Sequence, residues 1–470
     1  MSLPDLRAEL ASATSTIDLA RRLVLACMPE RGLLLDMERD LDPAARRHWG
    51  FVEDEVAGLD HAAFERPSGA GFLDLLEHEA LARAVDFTRG AYPMGHYAFL
   101  RGLCRSHLLR AYERADAPLQ LEYGTPFPVA SRPVNDQYGH DLTPFHTKLA
   151  YGSLLARLGF SVFAYQEDDW PPVLLDYRHR ERLDALTWLA ERRLPRIGTL
   201  HPCLGREHRR ASDTSAGVFE VGPAVWDLPA TLAQLEQLRA EGAEVALLPE
   251  LCLPAPDALE EAIGKAPERY PPLVVAGSAH VHDRAADGRE IRANESRVYL
   301  DGALVLAHRK IRPLDASGLG DAAGPIREDL TSERKPLMLL SGEHTRLGVV
   351  ICSDLISTAI PRLLEAAGTN LLLVPAMTYR EGSFNGAVCG IASDCQGVTV
   401  VANADLEPFA QEDGSMEAPF LLMAGVPRPR PQEQSREYRD GGEALPPRAL
   451  VDPNLRLDRA VRWLGDDAQA

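Results

Sequence analysis

A layered α/β fold, with helices packed on sheets, is predicted for residues 196–470, behind a mainly helical domain of unknown function over residues 1–195. Two patterns and one turn predict it. Beyond Pro195 short apolar runs alternate with longer amphipathic stretches, whereas ahead of it apolar residues recur at helical spacing. Within the later part, two runs are joined by Asp301-Gly302, a dipeptide that supplies the positive φ angles of a tight β-hairpin.

In the first 115 residues, Ile17, Ala20, Val24 and Cys27 fall on one helical face, as do Leu73, Leu76, Ala80 and Phe87. Pro118, Pro126, Pro128 and Pro133 break this pattern, and residues 116–142 read as loop. Thr143 and Pro144 mark the start of a further helix that runs to about Leu158 before Gly159, and Tyr177 to Arg193 forms a charged amphipathic segment. Strands are expected at Arg196–Leu200, Val245–Leu248, Leu273–Ala276, Arg297–Leu300, Ala303–Ala307, Leu347–Ile351, Leu371–Val374 and Val398–Val401. Several are apolar throughout, which suits strands covered on both faces, and Leu228–Glu241 and Ala359–Ala367 have the spacing of the covering helices. Residues 201–221 read as a polar loop, and the Pro- and Arg-rich stretch from Pro427 to Arg448 reads as an extended tail.

With 470 residues, 45% hydrophobic and 25% charged, the chain has the composition of a globular protein with two domains. A formal charge of −19 argues against nucleic acid and anionic membrane surfaces as partners, since both need a local excess of Lys and Arg. The N-terminus carries Asp5, Arg7 and Glu9 in place of a secretory apolar core, and no apolar run reaches membrane-spanning length. Seven scattered cysteines without a C-x-x-C pair fit free thiols in a reducing cytoplasm, one of them available as a nucleophile. Cys389 and Cys395 read as buried packing residues in a helix. His201, Cys203 and His208 lack further ligands at metal-binding spacing, and Gly318 to Gly324 lacks the preceding strand and the Lys-Ser/Thr of a phosphate loop. No cofactor or metal is expected.

Three residues sit where chemistry could be done. Cys352 follows the apolar run Gly348-Val349-Val350-Ile351 at a strand-to-helix turn, where a helix N-terminus would lower the thiol pKa and backbone N–H groups could bind an oxyanion. Glu250 ends Val245-Ala246-Leu247-Leu248-Pro249, a place where partial desolvation would raise its pKa toward the range of a general base. Lys310 lies in His308-Arg309-Lys310 directly after the hairpin. Taken singly, each has a plainer reading: a structural thiol, a loop-capping acid, a solvated basic cluster.

Their order and contexts together are more specific. Leu247-Leu248-Pro249-Glu250, Asn294-Glu295-Ser296 leading to His308-Arg309-Lys310, Gly348 to Asp354, Ala367 to Pro375, and Val400-Val401-Ala402-Asn403 resemble the corresponding segments of the nitrilase, or carbon–nitrogen hydrolase, superfamily. The resemblance extends from about residue 196 to 467 and leaves the N-terminal region unmatched. It implies an α-β-β-α sandwich in which Glu250 is the general base, Lys310 stabilises the oxyanion and Cys352 is the nucleophile. A second glutamate is implied between the lysine and the cysteine strand; Glu328 fits best, with Asp321 and Asp329 close by as competitors.

The implied activity is cleavage of a non-peptide carbon–nitrogen bond in a small-molecule linear amide, carbamoyl, ureido or nitrile substrate through a cysteine thioester, in a homo-oligomer. Leu355-Ile356-Ser357-Thr358-Ala359 departs from the Arg and Pro-Glu that many members carry after the nucleophile, so the substrate is left open. Two alternatives stand beside hydrolysis. One is a catalytically silent scaffold or oligomerisation module for the N-terminal domain, in the setting of a bacterial defence effector. The other is acyl transfer through the same three residues.

Overall fold

The computed structural model describes residues 5–30, 34, 43–65, 69, 71–79, 81–82, 93–128, 160–162, 170–186, 195–200, 208–214, 217–223, 226–285, 287–315, 327–331, 335–343, 345–378, 381–394, 398–404, 409–410, 416–417, 422–425 and 461–464. Among these, two seven-stranded sheets lie face to face. The first runs in the order Ala279–Arg284, Glu290–Leu300, Leu273–Val275, Val245–Leu247, Ile197–Leu200 and Val461–Leu464, with Ala303–Arg309 paired to Glu290–Leu300. The second runs Leu119–Leu121, Val173–Asp176, Leu337–Ser341, Arg346–Val349, Leu371–Ala376, Val398–Asn403 and Leu422–Gly425.

Alternation along the strands sorts the side chains into layers. Val245, Leu247, Leu273 and Val275 of the first sheet meet Leu347, Val349, Leu371 and Leu373 of the second in one core between the sheets. Ala246, Val274 and Tyr299 point the other way, onto Leu235 and Leu238 of the helix Leu228–Ala240 and Leu259 and Ile263 of the helix Pro256–Lys265. The outer face of the second sheet, with Leu339, Leu372 and Val374, is covered by Leu363 and Leu364 of Ile360–Ala367 and Phe384 and Val388 of Glu381–Asp394. Helix, sheet, sheet, helix is the order of layers, as the resemblance implies.

Local chemistry sets the ends of these elements. The Asp227 side chain accepts the Ala230 N–H at 3.3 Å to start one covering helix, and Gly368 at φ 73° closes another, a left-handed turn that costs glycine nothing. Asp301 (φ 47°) and Gly302 (φ 77°) form the two-residue loop of the hairpin in which Leu300 pairs with Ala303.

The expected boundary at residue 195 has no counterpart in the sheets. Val173–Asp176 pairs in parallel with Leu337–Ser341 and antiparallel with Leu119–Leu121, so two strands from the N-terminal side form one edge of the second sheet. Ahead of them lie helices Thr16–Cys27, Pro43–Gly58 and Met94–Ser106; Thr16–Cys27 buries Ala20, Val24 and Cys27, three of the four residues expected on its inner face. The last two helices approach so closely that a Cβ on Gly102 would collide with Val56. These helices share one continuous apolar core with the outer face of the second sheet.

Other sequence expectations need revision. Within residues 201–221, read as polar loop, and running two residues past it, lies a hairpin of His208–Thr214 and Gly217–Pro223, because a ladder of backbone hydrogen bonds does not require an apolar sequence pattern. Cys389 is only half-buried, on a helix face that is not fully covered. The helix expected from Thr143, the loops 201–207 and 318–324, Cys395 and the tail 427–448 fall outside the described residues. Among the described residues no helix is long and apolar enough to cross a membrane.

Candidate active site

Glu250 follows the strand Val245–Leu247 on a turn that three contacts fix in place. Its N–H donates to the Ala376 carbonyl of the opposite sheet at 3.3 Å, the Ser278 hydroxyl accepts the Leu251 N–H at 3.0 Å, and Ser278 N–H donates to the Pro249 carbonyl at 3.3 Å. Leu251 adopts φ 53°, and Gly277 (φ 64°) lies so close that a Cβ there would strike the Pro249 carbonyl. The turn is therefore held rigidly against the second sheet.

Lys310 enters from the end of the hairpin. Its backbone N–H donates to the Asn294 carbonyl at 2.8 Å, its carbonyl accepts from Lys335 Nζ at 3.0 Å, and its side chain is only 1% exposed. Nζ lies 2.8 Å from Glu250 Oε1 and 2.8 Å from Glu328 Oε2. The basic cluster is thus no solvated surface: Arg309 turns outward to Asp283 and Glu295 while Lys310 points in.

Cys352 sits at the end of the strand Arg346–Val349 with φ 48°, one of three non-glycine residues at positive φ among those described; Leu251 is another. Two such conformations facing each other across one site are the strained positions that cluster where geometry is over-determined by surroundings. The thiol is buried, 3.8 Å from the Met377 carbonyl, and the Glu250 carboxyl and the Lys310 ammonium are the charges that act on it. No long helix begins here. Cys352–Asp354 is a single 3₁₀ turn, and the next helix starts at Ile360, so the expected thiol-lowering helix N-terminus is absent. Instead burial, and then the Glu250 carboxyl, push the Cys352 thiol well up, although Lys310 pulls the other way.

Glu328 completes the cluster, and four donors surround its carboxylate. Oε1 accepts from Asn294 Nδ2 at 2.8 Å and His280 Nε2 at 3.0 Å; Oε2 accepts from Lys310 Nζ at 2.8 Å and the Leu314 N–H at 3.0 Å. Burial opposes its ionisation, but Lys310 and His280 outweigh this and hold it far below the usual carboxylate range. Of its competitors, Asp329 pairs with Arg292 at 3.2 Å, and Asp321 is outside the described residues.

The two glutamates have opposite electrostatic characters. Glu250 is raised by burial and by the Glu328 charge, with Lys310 opposing, while Glu328 is a fixed anion. Burial alone would depress the Lys310 ammonium, yet Glu250 and Glu328 hold it well above its ordinary value. One carboxyl able to exchange a proton, one permanent carboxylate and one permanent ammonium thus surround a protonated thiol.

Several supporting residues were not singled out by sequence. Asn294 Nδ2 donates to both Glu250 Oε1 (2.9 Å) and Glu328 Oε1 (2.8 Å), bridging the two acids. Asp354, fully buried, accepts from the backbone N–H groups of Ile311 (3.0 Å), Arg312 (2.7 Å) and Ile351 (3.2 Å), and so ties the segment after Lys310 to the turn that carries Cys352. Ser353 Oγ adds a bond to the Arg312 carbonyl at 2.6 Å. Asn403 closes the turn that faces the thiol through Thr378, at 2.8 Å to both its N–H and its carbonyl. Asn294, Asp354 and Asn403 all lie in the quoted motifs, and a polar residue within an otherwise apolar strand end was the available signal.

No family model and no curated protein matches the chain. Solved structures do. It is similar to an amidase from Nesterenkonia sp. (19% identity, 52% of this chain and 96% of that one, TM-score 0.33). A second likeness is to Saccharomyces cerevisiae Nit3, a member of branch 10 of the nitrilase superfamily (13% identity, 50% and 83%, TM-score 0.34). A third is to a carbon–nitrogen hydrolase from Helicobacter pylori G27 (13% identity, 49% and 80%, TM-score 0.32). Each takes in about half of the chain and leaves the N-terminal region unmatched, and at these scores the chemistry has to be judged from the site itself.

Proposed function

We propose that the chain is a hydrolase of carbon–nitrogen bonds other than peptide bonds, working through a thioester on Cys352. The observation that carries this reading is the buried cluster in which the Lys310 ammonium is held at 2.8 Å by both Glu250 and Glu328, with the buried Cys352 thiol within reach of both the Glu250 and Lys310 charges. A cluster of four ionisable groups is costly to bury, and groups held in this way are characteristic of functional sites.

In this reading Glu250, ionised, accepts the thiol proton as Sγ forms its bond to the substrate carbonyl carbon, because a thiol pushed up by burial does not ionise beforehand. The carbonyl π electrons move onto oxygen. Two of the three Lys310 ammonium hydrogens face carboxylates, and the third, with a backbone N–H, receives the oxyanion. Collapse of the tetrahedral species expels the amine, which takes its proton from Glu250. Glu250 then draws a proton from water as the water oxygen attacks the thioester; collapse breaks the C–S bond, the thiolate takes that proton back from Glu250, and the carboxylic acid leaves with the thiol restored. With a nitrile, thiol addition would give a thioimidate with the proton on nitrogen and no leaving group; a first water would expel ammonia to give the thioester, and a second would release the acid. Glu328 stays ionised throughout and keeps Lys310 aimed.

Small linear amides, carbamoyl compounds and nitriles incubated with the protein should leave an acyl group on Cys352, read by intact-mass spectrometry and absent from Cys352→Ala. A wild-type protein that takes no mass from any of them, or an adduct that persists in Cys352→Ala, would remove the basis of this reading and leave the scaffold alternative.

A further inference from the structure

We propose that His280 is a positioning residue for the chemistry set out above: its ring, fixed in one tautomer by the backbone of Val221, orients Glu328 and through it Lys310. The proposal rests on the hydrolase reading and adds to it a residue outside the Glu, Lys and Cys positions.

The tautomer follows from donors and acceptors. The Val221 N–H lies 3.0 Å from His280 Nδ1, and a backbone N–H can only donate, so Nδ1 is the unprotonated nitrogen. The ring proton is then on Nε2, which lies 3.0 Å from Glu328 Oε1 and donates to it. With Nδ1 taken by the Val221 N–H, Nε2 is the nitrogen left to donate to Glu328. Its side chain is 2% exposed, which keeps water from substituting for either partner.

The surroundings show what the bond does. His280 and Asn294 are direct cross-strand partners, and both donate to the same oxygen, Glu328 Oε1. Lys310 and the Leu314 N–H take the other oxygen. With two donors on each oxygen, Glu328 cannot rotate without losing a bond, and Oε2 is left where it draws on one ammonium hydrogen. Removing the His280 donor frees one side of the carboxylate, and Lys310 loses its fixed direction toward the oxyanion. Val221 belongs to the hairpin strand Gly217–Pro223, so this hairpin is linked to Glu328 through the His280 imidazole.

The test compares acylation of Cys352 in wild type, His280→Leu and His280→Gln, with thermal melts to establish folding and nitrogen NMR of the ring to read the tautomer. His280→Leu should lower kcat roughly 10- to 100-fold with KM little changed, since a misaligned group costs rate more than ground-state binding. His280→Gln, which can return an N–H near the Nε2 position, should recover most of the loss. The wild-type ring should carry its proton on Nε2. A folded His280→Leu with wild-type kcat, a His280→Gln no better than His280→Leu, or a proton on Nδ1 overturns the proposal. Absence of any adduct on wild-type Cys352 instead sinks the hydrolase reading, and the role of His280 with it.

Discussion

The two sheets contribute to the site in different ways. The first, built mainly from residues 197–309, supplies the charges: Glu250, Lys310, and the His280 and Asn294 donors to Glu328. The second supplies the thiol of Cys352, and its strands come from residues as far apart as Leu119 and Gly425. Charge control is thus largely local in sequence, whereas the position of Cys352 depends on long-range assembly. The difference teaches that the N-terminal region is part of what holds the thiol in place, because two of its strands finish the sheet on which Cys352 rides and its helices share that sheet's outer core.

Removing residues 1–195 should accordingly have the largest effect. It strips one of the two partners from Leu337–Ser341, leaving that strand as a bare edge, and uncovers Leu337 and Leu339, so the remainder is expected to aggregate or lose its cooperative unfolding transition, read by size-exclusion chromatography and thermal melts. A soluble fragment that still acylates Cys352 would erase the contrast between the sheets.

Contacts that join the sheets come next. Leu373, completely buried between them, should cost about 2–5 kcal/mol of stability as Leu373→Ala, measured by denaturant unfolding. A similar loss for Leu247→Ala on the opposite side would show the two faces to be one cooperative core. Gly277→Ala should cost on the order of 1–3 kcal/mol through its positive φ and its collision with the Pro249 carbonyl, and should lower kcat by displacing the turn that carries Glu250. Glu328→Gln sharpens the electrostatic side. Without that charge the Glu250 pKa falls, so the acid limb of the rate profile should move to lower pH while kcat drops.

Much of this was legible in the sequence, and the reasons differ by element. Leu371–Ala376 and Val398–Asn403 are buried at every position, and their apolar parts, Leu371–Val374 and Val398–Val401, read as strands. Asp301-Gly302 announced its hairpin through the two positive φ angles it must adopt. Glu250, Lys310, Cys352 and Glu328, read as a set from motif order, are brought together by the fold. Leu119–Leu121 and Val173–Asp176 were hidden because three or four residues show no period, and their partners lie too far along the chain for a local pattern to reveal. His280 was hidden because the strand Ala279–Arg284 is otherwise polar and partly exposed, and the acceptor that gives the ring a role is 48 residues away. The direction of the Cys352 shift was misjudged from sequence, since a strand-to-helix turn was expected where the structure has one 3₁₀ turn inside a dry core.

The central claim is that Glu250, with its raised pKa, takes the proton from a thiol that is not ionised in advance. The direct measurement is the rate of Cys352 acylation by one small amide across pH, in wild type and in Glu250→Gln. Wild type should lose rate as pH falls through a single limb above the ordinary carboxylate value of 4.5, because a raised pKa protonates the base earlier on the way down. Glu250→Gln should be slower by about 100- to 10,000-fold and show no such limb. An acylation rate in Glu250→Gln equal to that of wild type, or the same acid limb in both proteins, would contradict the account.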